Sequence, residues 1–144
     1  MKLLMHFCCG PCGVACVRQL KEERVDFTGF WYNPNIHPFT EYRSRRDSLK
    51  TLAELEQFPL ILRDEYGLRL FLEKVGCNFD SRCPRCYEMR MEALASEAES
   101  RGFDAICTSL LISPYQNHQL LVETGMAAAM RHGLQFYYRD FRPL

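Results

Sequence analysis

The sequence predicts an α/β fold, a mainly parallel sheet with helices on both faces. Two observations carry that reading. Short β-branched, aromatic or leucine-rich runs alternate with stretches whose apolar residues recur at helical spacing, and Gly or Pro punctuates the junctions. Such alternation demands right-handed crossovers between parallel strands. In sheets of this kind ligands bind beyond the carboxyl ends of the strands, near the point where strand order reverses.

Lys2 to Phe7 reads as a short buried strand that runs into Cys8-Cys9-Gly10-Pro11-Cys12-Gly13. After this cysteine loop, Val14, Val17 and Leu20 form a helical stripe ending near Glu23, and Val25 to Tyr32 is a second strand. Asn33 to Pro38 is a loop by its two prolines. Thr40 then serves as N-cap for a helix to about Gln57, with Leu49, Leu52 and Ala53 as its inner stripe. One turn back the stripe meets Arg45 and Arg46, then Tyr42. Cations near a helix start oppose its dipole, so an anion or substrate is expected at that end. Pro59 to Arg63 is a third strand, and Leu68, Phe71, Leu72 and Val75 mark a helix stopped by Gly76. A further helix starts at Cys83 or Pro84, buries Tyr87, Met91, Leu94, Ala95 and Ala98, and stops at Gly102. Phe103 to Leu111 is a fourth strand, Gln116 to His132 an alanine-rich helix, and Leu134 to Phe141 a last strand. The loops after strands one and four should open on the same edge.

A chain of 144 residues, 47% hydrophobic and 25% charged, suits one domain with one core. Its formal net charge of zero provides no global field toward nucleic acid, so any RNA contact must come from a local patch. The would-be signal core after Met1 is broken by His6, three cysteines and Pro11, and no run approaches the roughly 18 apolar residues of a membrane span. A cytoplasmic location without a membrane partner is therefore expected. In reducing surroundings, eight cysteines favour metal or catalysis over disulfides.

Four of those cysteines fall between Cys8 and Cys16. Cys83-x-x-Cys86 at a helix start suits a dithiol whose thiolate the helix N-terminus stabilises, and Cys9-x-x-Cys12 is a second such pair. Together they suggest a four-thiolate site for zinc or an iron–sulfur cluster. Adjacent side chains in extended backbone point to opposite sides, so Cys8 and Cys9 are not expected to hold one metal atom together. That favours a polynuclear cluster, or a cluster beside a separate metal, over structural zinc. Cys16 and Cys107 read as buried spectators and Cys77 is unassigned. His37 and His118 are candidates for proton donation or phosphate binding, against the plainer reading of surface histidines. Arg43, Arg45, Arg46 and Lys50, beside Trp31, Tyr32, Phe39 and Tyr42, combine charge with stacking surface as RNA-loop binding requires. The plainer reading is a solvated face with Glu41 and Asp47.

Taken in order, Cys8-Cys9-Gly10-Pro11-Cys12, Tyr32-Asn33-Pro34-Asn35-Ile36-His37-Pro38, Glu41-Tyr42, Cys83-x-x-Cys86-Tyr87, Thr108 to Tyr115 and Asp140-Phe141-Arg142-Pro143 resemble the QueH-type epoxyqueuosine reductases. The resemblance runs from strand one to the last residues. It implies a Rossmann-like fold related to the adenine-nucleotide α-hydrolases, and reduction of the epoxide of epoxyqueuosine in a tRNA anticodon loop. It further implies a [4Fe-4S] cluster with an adjacent iron, held by Cys8, Cys9, Cys83 and Cys86 with Cys12 as a further ligand. On this reading an external donor provides two electrons, and Tyr115, His118 or His37 protonates the departing oxygen. Tyr42, Arg43, Arg45 and Arg46 would hold the anticodon RNA, and the protein would act as a monomer. Members of the family continue past the Asp-Phe-Arg-Pro motif into a tail with a Tyr-Cys-Gly-Cys signature. Residues 1–144 are thus expected to form a single α/β metal-cluster domain short of that tail. The rivals are a metal-free thiol–disulfide oxidoreductase using Cys83 and Cys86, and a zinc-stabilised RNA-binding module. A tRNA-thiolating ATP pyrophosphatase is disfavoured because strand one ends in cysteines where a Ser-Gly-Gly phosphate loop would stand.

Overall fold

The computed structural model describes residues 2–33, 36, 39–63, 82–112 and 117–141, with backbone alone for 82–86. The elements are β1 (Lys2–His6), α1 (Gly10–Glu22), β2 (Asp26–Trp31), α2 (Phe39–Glu56), β3 (Leu60–Leu62), α3 (Arg82–Ser100), β4 (Ala105–Thr108), a 3₁₀ turn (Ser109–Ile112), α4 (His118–Arg131) and β5 (Gln135–Phe136). The five strands pair in parallel in the order β3-β2-β1-β4-β5, the Rossmann-like α/β arrangement. The helix expected at Leu68 to Val75 lies outside the described residues.

Period-two alternation in β1 divides the core. Leu3, Met5 and Phe7 pack on one face against Cys16, Val17 and Leu20 of α1 and Leu49, Leu52 and Ala53 of α2. Leu4 packs on the other face with Met91, Leu94, Ala95 and Ala98 of α3 and Ala128 and Ala129 of α4. Successive strands move from β1 toward β2 and β3, then return to add β4 and β5 on the other side. The order therefore reverses between β1 and β4, and the crevice there opens beyond His6 and Thr108, which are register partners.

Several boundaries differ from the sequence reading, each for a local reason. The first helix begins at Gly10 rather than near Val14, because Pro11 suits its opening turn, so Cys12 is helical. Thr40 is not an N-cap: α2 already includes Phe39, whose ring stacks on Tyr42 at 6.2 Å. The fourth strand ends at Thr108, where the Thr108 hydroxyl accepts from the Leu110 N–H at 3.2 Å and turns the chain into the 3₁₀ segment. Since β4 turns away, little edge remains for the last strand, which is confined to Gln135–Phe136 with one more ladder bond from the Tyr137 N–H to the Ile106 carbonyl. In α4 the N-cap is Asn117, whose side-chain oxygen accepts from the Leu120 N–H at 3.1 Å.

Helices α3 and α4 are also tied electrostatically. His132, at the end of α4, bonds Glu92 through Nε2 at 2.6 Å and Glu99 through Nδ1, while Arg131 reaches Glu92 at 2.8 Å. The carboxylates of Glu92 and Glu99 raise the His132 pKa above its ordinary value. Stability from this contact is fully present below pH about 6.5 and is lost as pH rises through the raised folded-state pKa. His132→Gln should therefore lower the urea midpoint at pH 5.5 and leave it nearly unchanged at pH 9. The loss at pH 5.5 should be on the order of 0.5–1 kcal/mol, because the contact is largely solvent-screened. Equal losses at both pH values would show that packing, not charge, is what His132 contributes.

Candidate metal centre

The crevice at the β1/β4 switch point is a cavity of about 490 Å³ lined by Cys8, Cys9 and Cys12, by Glu41, Arg45 and Ser48 of α2, and by Arg90 of α3. Cys8 stands two residues past the end of β1, after the buried Phe7. Cys9 is the N-cap of α1, with extended backbone (φ −173°, ψ 169°), and Cys12 sits one turn in. The sulfur atoms of all three lie within 4.8 Å of one another. This corrects the expectation that Cys8 and Cys9 diverge: alternation holds along a continuing strand, but here the chain bends into a helix directly after Cys9. A thiolate-bound ion with bonds of about 2.3 Å holds its sulfurs about 3.8 Å apart in tetrahedral geometry, so the trio fits a metal after small side-chain rotations.

Close packing of two helices holds the bend in place. The Gly10 N–H donates to Ser48 Oγ at 3.0 Å, and Ser48 Oγ donates to the Arg45 carbonyl at 2.8 Å. On the other side, the Cys8 N–H donates to Ser109 Oγ at 3.3 Å, and that hydroxyl donates to the Cys8 sulfur at 3.7 Å. Hydrogen bonds from the Cys12 and Cys9 thiols hold the Cys8 pKa well below the usual thiol range. As the donors, Cys9 and Cys12 are pushed upward, Cys9 chiefly by Cys12 and Cys12 chiefly by Cys8. A cation bound by the three sulfurs would displace the thiol protons of the trio.

Beneath Cys8 lies a fully buried polar chain. His6 Nε2 faces Asn33 Oδ1 at 3.0 Å and the Tyr32 carbonyl at 3.3 Å, so Nε2 bears the hydrogen. Nδ1 then accepts from Thr108 Oγ1 at 2.9 Å, and Asn33 Nδ2 donates to the Phe7 carbonyl at 3.0 Å. Burial and the nearby Arg90 charge push His6 down to about 4, so the ring is neutral near pH 7. This network ties the ends of β1, β2 and β4 together under the cysteine bend. Its members are 26 to 102 residues apart, and no local pattern announces them.

Of the other sequence candidates, Cys83 and Cys86 occupy the first turns of α3, with side chains outside the described residues. They precede Arg90 by seven and four residues, so the helical repeat sets the three positions along one stripe. His37, Cys77 and Tyr115 lie outside the described residues. His118 does not line the cavity. Its Nε2 meets the Tyr138 hydroxyl at 2.8 Å, and its Nδ1 is buried without a hydrogen-bond partner. Cys16 and Cys107 are fully buried in the core, with burial raising both thiols, Cys107 to about 12.

The aromatic and arginine patch is partly corrected. Tyr42 is 1% exposed and accepts from the Trp31 indole N–H at 3.1 Å, and Trp31 and Tyr32 are likewise buried, so none offers a face to a base. Tyr42 belongs to the apolar stripe of α2 and packs as the stripe requires. Phe39 remains exposed, as does Arg43. Arg46 pairs with Asp47 at 3.1 Å. Only Arg45 of the four lines the cavity, held by Glu41 at 2.6 Å. Sequence reasoning missed Arg90, Ser48 and Ser109 as wall residues. The stripe through Cys86 could have indicated Arg90.

Comparison with known proteins identifies the family and the fold. A family model described as epoxyqueuosine reductase QueH matches residues 3–144. The epoxyqueuosine reductase QueH of Dehalococcoides mccartyi is 37% identical over 141 residues, covering 98% of this chain and 78% of that protein. Those of Helicobacter pylori and Acinetobacter baylyi are 35% and 34% identical, and the chain spans 38% and 66% of their respective lengths. A crystal structure described as a predicted subunit of tRNA methyltransferase from Methanocaldococcus jannaschii is similar in fold. Its TM-score is 0.64 over 99% of this chain and 74% of that one, at 11% identity.

Proposed function

The chain belongs to the epoxyqueuosine reductase QueH family, and from that premise we propose that it converts epoxyqueuosine to queuosine in a tRNA anticodon loop. The observation that carries the reading is the convergence of three cysteine sulfurs at the strand-order switch point of the sheet. In the reaction both C–O bonds of the epoxide break and a C=C bond forms. The oxygen leaves as water at the expense of two protons and two electrons from an external donor. A [4Fe-4S] cluster with an adjacent iron would be held by Cys8, Cys9, Cys83 and Cys86 with Cys12 as a further ligand, and would supply electron relay and Lewis acidity.

The chain's own residues supply placement and protons. Ser109 donates to the Cys8 sulfur and thereby steadies it, a support that typically matters 10- to 100-fold in metal affinity. At the cavity wall Arg45 offers a cation to the anticodon phosphates, with Arg43 and the exposed Phe39 on the same helix as further RNA contacts. Proton delivery falls to Tyr115, His118 or His37. In the structure His118 Nε2 is engaged by the Tyr138 hydroxyl, which must release it before it can donate.

Where His118 is the one of the three that serves as general acid, His118→Gln should lower kcat by about 10²- to 10⁴-fold with iron content unchanged. A change below threefold removes His118 from that role. Anaerobic reconstitution followed by iron, sulfide and zinc analysis tests the whole reading. Stoichiometric zinc without turnover favours an RNA-binding module, and metal-free active protein favours a thiol–disulfide oxidoreductase.

A further inference from the structure

Arg90 is the one permanently charged side chain that is buried among the described residues, at 5% exposure. It comes from α3, on the sheet face opposite α1 and α2, yet it lines the same cavity as Cys8, Cys9 and Cys12. Its charge is also felt at His6, directly under the cysteine bend. A guanidinium carries five donors and keeps its charge at any pH a protein tolerates, so it can serve several partners at once. Arg45 lines the cavity too, but its side chain is 43% exposed and is held by Glu41 at 2.6 Å. Water blunts its field, whereas a buried charge acts through a medium of far lower permittivity.

We propose that Arg90 tunes the redox balance of the cysteine-held centre, its fixed positive charge favouring the reduced form. The inference rests on the iron reading above. Thiolate ligands make such a centre anionic, and each electron taken up adds one further negative charge. The potential of a cluster follows its net charge, its hydrogen bonds and its exposure, so a buried cation in the wall raises it. Arg90 in this role is a positioning residue. It neither ligates metal nor contacts substrate.

The test is a reductive titration of anaerobically reconstituted protein with dithionite, following visible absorption, with iron content and KM for tRNA measured on the same samples. Arg90→Gln should shift the midpoint potential to more negative values, Arg90→Lys should stay close to the unsubstituted protein, and Arg45→Gln should shift it less than Arg90→Gln. If Arg90→Gln fails to take up iron, Arg90→Lys decides. Retained iron and potential with lysine support the charge argument, and loss in both variants overturns it by making guanidinium shape the requirement. An unmoved potential in iron-replete Arg90→Gln overturns the proposal, and a raised KM alongside it would make Arg90 a substrate contact instead. If the unsubstituted chain takes up no iron, the iron reading itself falls, and this is seen before any variant is made.

Discussion

Serine in place of Cys8, Cys9 and Cys12 together should abolish iron uptake on anaerobic reconstitution and reduce epoxide turnover by at least about a thousandfold. The estimate follows from what ligands do relative to their supports: removing a supporting hydrogen bond costs about 10- to 100-fold in affinity, so removing three adjacent sulfurs costs more. Among the single variants, Cys8→Ser should be the most damaging. Cys8 is the buried member of the trio, and the Cys12 and Cys9 thiols hold its pKa below the usual thiol range, a readiness to ligate that a serine hydroxyl lacks. Cys107→Ala is the control. That thiol is fully buried between β-strands, so the variant should lose some stability yet keep its full iron complement. The measurements are iron and sulfide content and the broad visible absorption of the cluster. Survival of that absorption in the triple variant would exclude this end of the sheet as the iron site.

Among the described glycines, Gly10→Ala should be the most costly for stability and metal binding together. In an ordinary helix the change gains about 0.5–1 kcal/mol. Here the added Cβ would stand 2.6 Å from the Ser48 carbonyl oxygen and 2.8 Å from its carbon. Those are backbone atoms within α2, and they cannot rotate aside. Overpacking of this kind costs about 1–3 kcal/mol, which reverses the sign. The strain falls on the bend that carries Cys9 and Cys12, and it pulls the Gly10 N–H from Ser48 Oγ. A lowered urea midpoint together with weakened iron binding is the expected pair of results. Gly125→Ala makes a useful contrast, because its new Cβ would meet the Phe136 ring, a side chain near the sheet edge, far along the chain from the cysteines. It should lose stability while leaving iron binding intact. If Gly10→Ala proves as stable as the unsubstituted chain, the close approach of α1 to α2 does not set the cysteine geometry.

The patterns that the sequence reading used are short-range ones. The stripe Leu49, Leu52, Ala53 and the stripe Tyr87, Met91, Leu94, Ala95 and Ala98 record burial every three or four residues, and both helices are present with those faces inward. Gly102 ends α3 with φ +79°, a conformation glycine adopts without steric cost. The same reasoning placed the Cys8 loop and the loop after strand four on one edge, because parallel strands bring their carboxyl ends together; with β4 ending early at Thr108, it is Ser109 that meets Cys8 there. Strand lengths were less legible. Leu134 to Phe141 has the composition of a strand, but a strand needs a neighbour, and β4 withdraws its edge at Thr108.

The alternating strands and helices, the parallel sheet, the cysteine bend at the end of β1 and the family motifs were all determined by the sequence alone, since each depends on residue type and spacing over a few turns of chain. Tertiary structure alone decided that the Cys8 and Cys9 sulfurs converge rather than diverge, that Tyr42 is core rather than RNA surface, and that Arg90 reaches the cysteine cavity from the far face of the sheet. For the cysteines the reason is the helix that starts at Gly10, directly after Cys9, whose bend Ser48 and Ser109 hold from 38 and 101 residues away. For Tyr42 and Arg90 it is packing: whether a side chain faces a core or a cavity depends on elements brought together in space, and spacing along the chain carries no record of that.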